Sequence, residues 1–209
     1  MRTPSESSLL SRVPVVPVVV VDDVATAVPL ARALVAGGLP VIELTLRTPV
    51  ALEAIRAIAD EVPEILVGAG TVLTPGQAKL AHDAGAQFLV SPGATPGLLG
   101  GMADTGLPFL PGTATVSEVI AVLETGLTEM KFFPAEASGG TAFLSSIASP
   151  VPAARFCPTG GITAATAASY LALPNVGCVG GSWITPADAL AAGDWDRVTR
   201  LAAEAAALR

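Results

Sequence analysis

The chain has 209 residues, of which 51% are hydrophobic and only 14% charged, against about a quarter charged in an ordinary soluble domain. One domain of this length buries a full core without disulfide or metal staples. A net charge of −7, with no cluster among the 11 Lys and Arg, argues against a nucleic-acid partner, because an acidic surface repels phosphate backbones.

In chain order, residues 1–12 are rich in Ser and are expected to form a short capping helix or a loose arm, ahead of one catalytic domain over residues 13–209. The apolar run 13–21 carries Pro14 and Pro17, leads into Asp22-Asp23 and lacks a small-residue cleavage site. It therefore reads as a strand and not as a signal-peptide core. Strands are expected at 15–20, 41–44, 65–67, 87–90, 109–110, 129–132, 155–157 and 177–179. Helices are expected at 24–36, 49–61, 75–84, 96–104, 116–124, 141–148, 164–171 and 195–207. Thr48-Pro49, Thr74-Pro75 and Thr95-Pro96 each place a capping hydroxyl before a proline suited to the first helical turn. Gly37-Gly38, Gly85, Gly106 and Gly126 stand where helices stop. Eight strand–helix pairs with short connections predict a parallel sheet closed as a (β/α)₈ TIM barrel; an open, doubly wound sheet is the alternative. The stretch 156–187 carries no charge. Its prolines and glycines exclude a membrane helix, and its bare helix at 164–171 suits a subunit interface.

Barrel enzymes work at the C-terminal ends of their strands, and that is where the polar residues collect. Alternation along 41–47 sets Glu43, Thr45 and Arg47 on one face and Ile42, Leu44 and Leu46 on the other. In Glu129-Met130-Lys131-Phe132-Phe133-Pro134, alternation turns Lys131 inward, away from Met130 and Phe132. A lysine among such neighbours is either functional or snorkelling to solvent. Desolvation disfavours an ammonium, so an interior amine loses its proton more easily; a neighbouring Arg47 would add to this and Glu43 would push the other way. Thr159-Gly160-Gly161 and Gly180-Gly181-Ser182 close two adjacent strands. Paired glycines there can bring backbone N–H groups to a phosphate, or can be plain tight turns. Gly68-Ala69-Gly70-Thr71 and Ser91-Pro92-Gly93 end two more strands with uncharged polar groups.

His82, the only histidine, lies on an Ala-rich segment away from any strand end. It is expected at the surface, which leaves no zinc site built from several histidines and no Ser–His nucleophile pair. A Mg²⁺ site built from carboxylates stays open, with Glu43 as its one good candidate ligand; no cofactor is otherwise expected. Cys157 and Cys178 sit in apolar runs and are expected as buried thiols.

Taken together these residues resemble the bacterial 2-keto-3-deoxy-6-phosphogluconate aldolase family, which overlaps with 4-hydroxy-2-oxoglutarate aldolase. The resemblance rests on Gly38-Leu39-Pro40-Val41-Ile42-Glu43-Leu44-Thr45-Leu46-Arg47 and on the segment 126–139 around Lys131-Phe132-Phe133-Pro134-Ala135-Glu136. Gly68-Ala69-Gly70-Thr71-Val72-Leu73, Ser91-Pro92-Gly93, Cys157-Pro158-Thr159-Gly160-Gly161 and Gly180-Gly181-Ser182-Trp183 add to it. It covers residues 15–209, with no departure at a site position. It implies a metal-free, cytoplasmic class I aldolase, typically a homotrimer, acting on a phosphorylated 2-keto acid and pyruvate. In that reading Lys131 forms the Schiff base and Glu43 moves protons. Arg47 orients Glu43 and helps hold the carboxylate, with Thr71 and Thr159 as hydrogen-bonding partners. Pro92 and Phe133 pack on substrate, and Gly160, Gly161, Gly181 and Ser182 hold the phosphate. A sugar-phosphate isomerase or epimerase using Glu43 as base, and a non-enzymatic phosphosugar sensor, are the rival readings.

Overall fold

A computed structural model describes residues 8–208. Parallel strands form curled sheets with helices packed outside them. The strands are β1 (Val15–Val19), β2 (Val41–Thr45), β3 (Leu66–Gly70), β4 (Phe88–Val90), β5 (Phe109–Leu110), β6 (Gly112–Thr113), β7 (Glu129–Phe132), β8 (Arg155–Pro158) and β9 (Val179–Gly181). The helices are α1 (Ala27–Ala36), α2 (Ala51–Glu61), α3 (Pro75–Asp83), α4 (Pro96–Ala103), α5 (Val116–Glu124), α6 (Gly140–Ile147), α7 (Ala164–Leu171), α8 (Ala187–Ala192) and α9 (Trp195–Ala206). Every strand–helix pair expected from the sequence is present, with ends moved by up to a few residues.

The strand ladder is divided where one continuous eight-strand circle was expected. Six strands run in the order β5-β4-β3-β2-β1-β9 and three in the order β6-β7-β8. The division has a local cause at Pro111. The segment 109–113 pairs with β4 through Leu110 and with β7 through Gly112. Proline has no N–H to donate and interrupts the ladder between them. The same Pro-Gly pair hid β6 in the sequence. On the far side, β8 and β9 lie side by side without a shared ladder, and isolated parallel bridges Phe156–Val176 and Thr159–Gly180 link the chain around them.

Thr74 and Thr95 cap α3 and α4 as expected, accepting from Gln77 N and Leu98 N with Pro at the helix start. Thr48 does not cap α2. Its hydroxyl donates to Val21 O at 2.6 Å, so it ties the end of β2 to the end of β1, and α2 begins only at Ala51. The six-residue α8, bounded by Pro186 and a left-handed Gly193, is too short to print a helical period and was not expected.

The first seven residues of the expected arm lie outside the described residues. After them Leu9–Ser11 forms a 3₁₀ turn with Leu9 and Leu10 buried, and Ser8 donates to the Glu129 carboxylate at the foot of β7. This segment therefore closes the N-terminal end of the strands, opposite the polar strand ends. Cys157 and Cys178 are buried thiols. Among the described residues no helix is long and apolar enough to cross a membrane.

Candidate active site

All five residues of β2 are buried. Glu43 is 2% exposed and Lys131, in the middle of β7, is 5% exposed. Two charges this deep are stable only when paired and hydrogen-bonded, and these two are: Lys131 Nζ donates to Glu43 Oε1 at 3.1 Å. Their backbones belong to different sheets, so alternation on each strand directs both side chains into the same interior. Space for the carboxylate comes from Gly70. A Cβ at that position would stand 2.1 Å from Glu43 Oε1 and 2.6 Å from its Cγ, inside any tolerable contact. The Phe133 ring lies beside the amine, with its centroid 5.3 Å from Nζ, within range of a cation–π attraction.

The other expected residues stand at or just past the C-terminal ends of the strands, two of them with contacts that strand alternation did not suggest. Thr45 is buried and donates to Val19 O at 3.0 Å, which fastens β2 to β1. Arg47 is exposed, and its Nε donates to Thr71 Oγ1 at 3.3 Å, not to Glu43. β2 ends at Thr45 and Arg47 N turns back to Thr45 O, so strand alternation no longer sets where Arg47 points. Thr71, its partner, has φ 57°, the one non-glycine positive φ among the described residues. A β-branched residue in that region is strained by roughly 1–3 kcal/mol, and such strain collects at functional positions. Pro92 lies over Gly112, the residue that pairs with Lys131 across the ladder. Buried Ser91 accepts from Gly112 N at 3.4 Å.

At the ends of β8 and β9, Thr159 is buried and bridges to Gly180. Gly160 and Gly161 have φ of 102° and 81°, a conformation open to glycine and costly to other residues. Ser182 is exposed just past Gly181, on the rim of a cavity of about 590 Å³ also lined by Val18, Val20, Asp22, Thr185 and Leu190. Lys131 and Glu43 are not part of that lining; their side chains fill their own space against each other. His82 is exposed on α3 and contacts Asp83, as expected. Among the described residues no group of three or more His, Cys, Asp or Glu is placed to hold a metal ion.

Two residues with a part in this region were given no role by the sequence. Glu136 donates from its backbone N–H to Gly160 O at 3.1 Å, and its carboxylate accepts from the Tyr170 hydroxyl at 2.6 Å. Tyr170 is the only tyrosine of the chain, set in a helix of otherwise small residues apart from Leu171. That isolation is the signal by which it could have been found.

Comparison with known proteins places these features in company. The family model for KDPG and KHG aldolase matches residues 7–201. The KHG/KDPG aldolase of Escherichia coli (strain K12) is 57% identical over 201 residues, covering 96% of this chain and 94% of that protein. The crystal structure of the Legionella pneumophila KDPG aldolase, with pyruvate captured as a covalent carbinolamine, superposes with a TM-score of 0.93 at 45% identity, covering 95% of this chain and 96% of that one. The Zymomonas mobilis ZM4 2-keto-3-deoxy-6-phosphogluconate aldolase with 3-phosphoglycerate superposes with a TM-score of 0.90 at 48% identity, over 96% and 94% of the two chains.

Proposed function

The chain belongs to the KDPG and KHG aldolase family, and on that premise we propose that it cleaves 2-keto-3-deoxy-6-phosphogluconate to pyruvate and glyceraldehyde 3-phosphate through a Schiff base on Lys131, and also acts on 4-hydroxy-2-oxoglutarate. The observation that carries this reading is the buried Lys131–Glu43 pair at 3.1 Å. An amine with a carboxylate in hydrogen-bond reach can shed its proton to that carboxylate and attack a ketone.

The chemistry follows in balanced steps. The Lys131 amine adds to the C2 carbonyl, giving a carbinolamine, and Glu43 returns a proton as water leaves to give the protonated imine. Glu43, directly or through a water, then takes the proton of the C4 hydroxyl. The C3–C4 bond breaks, its electron pair flows into the imine, and an aldehyde departs from an enamine. The same carboxyl protonates the enamine at C3, and hydrolysis frees pyruvate and Lys131. Phe133, whose ring centroid lies 5.3 Å from the amine, and Pro92 are assigned to pack on the substrate. Arg47, held by Thr71, and Thr159 are assigned to the substrate carboxylate and hydroxyls. Gly160, Gly161, Gly181 and Ser182 are assigned to the phosphate, a use favoured by the left-handed backbone at the first two. The carbinolamine in the Legionella relative and the 3-phosphoglycerate with the Zymomonas relative support both halves of this assignment.

Borohydride reduction in the presence of pyruvate tests it directly. A stable adduct on Lys131 is expected; turnover without one would favour an isomerase, and binding without turnover a sensor. The phosphate assignment is tested by substrate choice. Charge-assisted hydrogen bonds contribute about 1.5–3 kcal/mol each, and two or three that add only in part give a preference for the phosphorylated substrate of roughly 10²–10⁴ in kcat/KM. Ser182→Asp sets a carboxylate beside the phosphate and is expected to remove most of that preference. Equal losses on both substrates would assign Ser182 to the scaffold.

We read the two sheets as one (β/α)₈ barrel forming a single catalytic domain over residues 13–209, a reading supported by the bridges between β8 and β9 and by the shared strand segment at Pro111. A homotrimer in the cytoplasm completes the proposal. Its support in this chain is the uncharged α7, which leaves Ala164, Ala165 and Ala168 exposed. Sedimentation at micromolar concentration is expected to show an oligomer, and a monomer would count against it.

A further inference from the structure

The loop after β7 brings a negative charge to the turn assigned to the phosphate. Glu136 lays its side chain over Gly161: a Cβ on that glycine would meet Glu136 Cγ at 2.6 Å and Cβ at 2.8 Å. A free carboxylate at this place would face any phosphate held by Gly160 and Gly161, and like charges in one site disfavour each other. The carboxylate is not left free. It turns toward Gly140, at the start of α6, where Glu136 Oε2 would be 3.8 Å from a Cβ built on Gly140 and the Tyr170 hydroxyl 3.1 Å from it. Negative charge is favoured at a helix N-terminus. Tyr170 is 1% exposed and donates to Glu136 Oε1 at 2.6 Å. Burial first, and then the bond to Glu136, push the Tyr170 phenol above its usual range, so it is a protonated donor at neutral pH.

We propose that Tyr170 is a positioning residue that determines specificity: by fixing the Glu136 carboxylate against Gly140, it keeps negative charge away from the Gly160–Gly161 turn and so sustains the preference for a phosphorylated substrate. The proposal rests on the assignment of that turn to the phosphate. Glu136 then has two functions that only restraint makes compatible. Its backbone and methylenes clamp the turn that receives the anion, and its charge is held on the other side.

Steady-state kinetics on 2-keto-3-deoxy-6-phosphogluconate and 4-hydroxy-2-oxoglutarate test this, with thermal unfolding followed for each variant. Tyr170→Phe is expected to raise KM for the phosphorylated substrate about tenfold while kcat and the rate of pyruvate C3 exchange change by less than about twofold. KM for the unphosphorylated substrate should also stay within about twofold. Adding Glu136→Gln to Tyr170→Phe should restore the phosphorylated KM, since the released side chain no longer carries charge. Glu136→Gln alone should leave that KM at or below the wild-type value. If Tyr170→Phe does not fold, Glu136→Asp, too short to reach the phenol, should give the same selective rise. Parallel losses on both substrates, or no rescue in the double variant, would overturn the role given to Tyr170. A wild-type preference that survives intact in Tyr170→Phe would overturn it too, leaving the phosphate assignment standing. A wild-type enzyme with no preference for the phosphorylated substrate would remove both.

Discussion

Lys131→Met is expected to lower kcat/KM for cleavage by on the order of 10⁴ or more, the scale on which loss of a covalent nucleophile is felt, and to abolish the borohydride-trapped pyruvate adduct. Methionine matches the length and volume of the lysine stem, so packing against Phe133 is kept. The charge is not. Glu43, only 2% exposed, loses its hydrogen-bonding cation, and an unpaired buried charge costs about 3–5 kcal/mol. The variant should therefore be less stable as well as inactive. Lys131→Met combined with Glu43→Gln should regain part of that stability while remaining inactive, a coupling that a double-mutant cycle measures. Circular dichroism and denaturant titration separate the two effects. Retention of more than a few per cent of activity in the single variant would falsify the Schiff-base assignment.

Glu43→Gln has the second-largest expected effect. The amide keeps an oxygen within reach of Lys131 but can neither take nor return a proton. Turnover should fall by about 10²–10⁴, the usual contribution of general acid–base catalysis. The imine should still form, since Lys131 is untouched, so trapping with pyruvate should continue at a reduced rate. The sharper readout is exchange of the pyruvate C3 protons with solvent, which isolates the enamine protonation step. Normal exchange in Glu43→Gln would take the proton-shuttle role away from this residue.

The order of elements and the central pair were legible in the sequence because each is governed by local alternation. A lysine between Met130 and Phe132 has one face left to it, and Glu43 between Ile42 and Leu44 likewise; both arrive in the interior. The turns at Gly160 and Gly161 were legible as turns, because paired glycines mark a backbone that needs positive φ, and both residues have it. What stayed hidden depended on contacts distant in sequence or on broken local patterns. Arg47 lies two residues past the end of β2, where the period that faced it toward Glu43 has ended, and it bonds Thr71 instead. Thr48-Pro49 has the same letters as the true caps at Thr74 and Thr95, but the carbonyl of Val21 competes for its hydroxyl. β6 is two residues long behind a proline. Tyr170 and Glu136 are 34 positions apart, and no local rule joins them.

The interruption at Pro111 has a mechanical meaning. Glu43 belongs to the six-stranded sheet and Lys131 to the three-stranded one, so the two partners of the buried ion pair are carried by different sheets. The sheets connect through the continuous segment 109–113 on one side, where Lys131 N donates to Pro111 O at 2.9 Å, and through two isolated bridges on the other. The 3.1 Å distance between amine and carboxylate thus depends on how the two sheets are set against each other. A change at either connection would alter that distance without changing the register within either sheet.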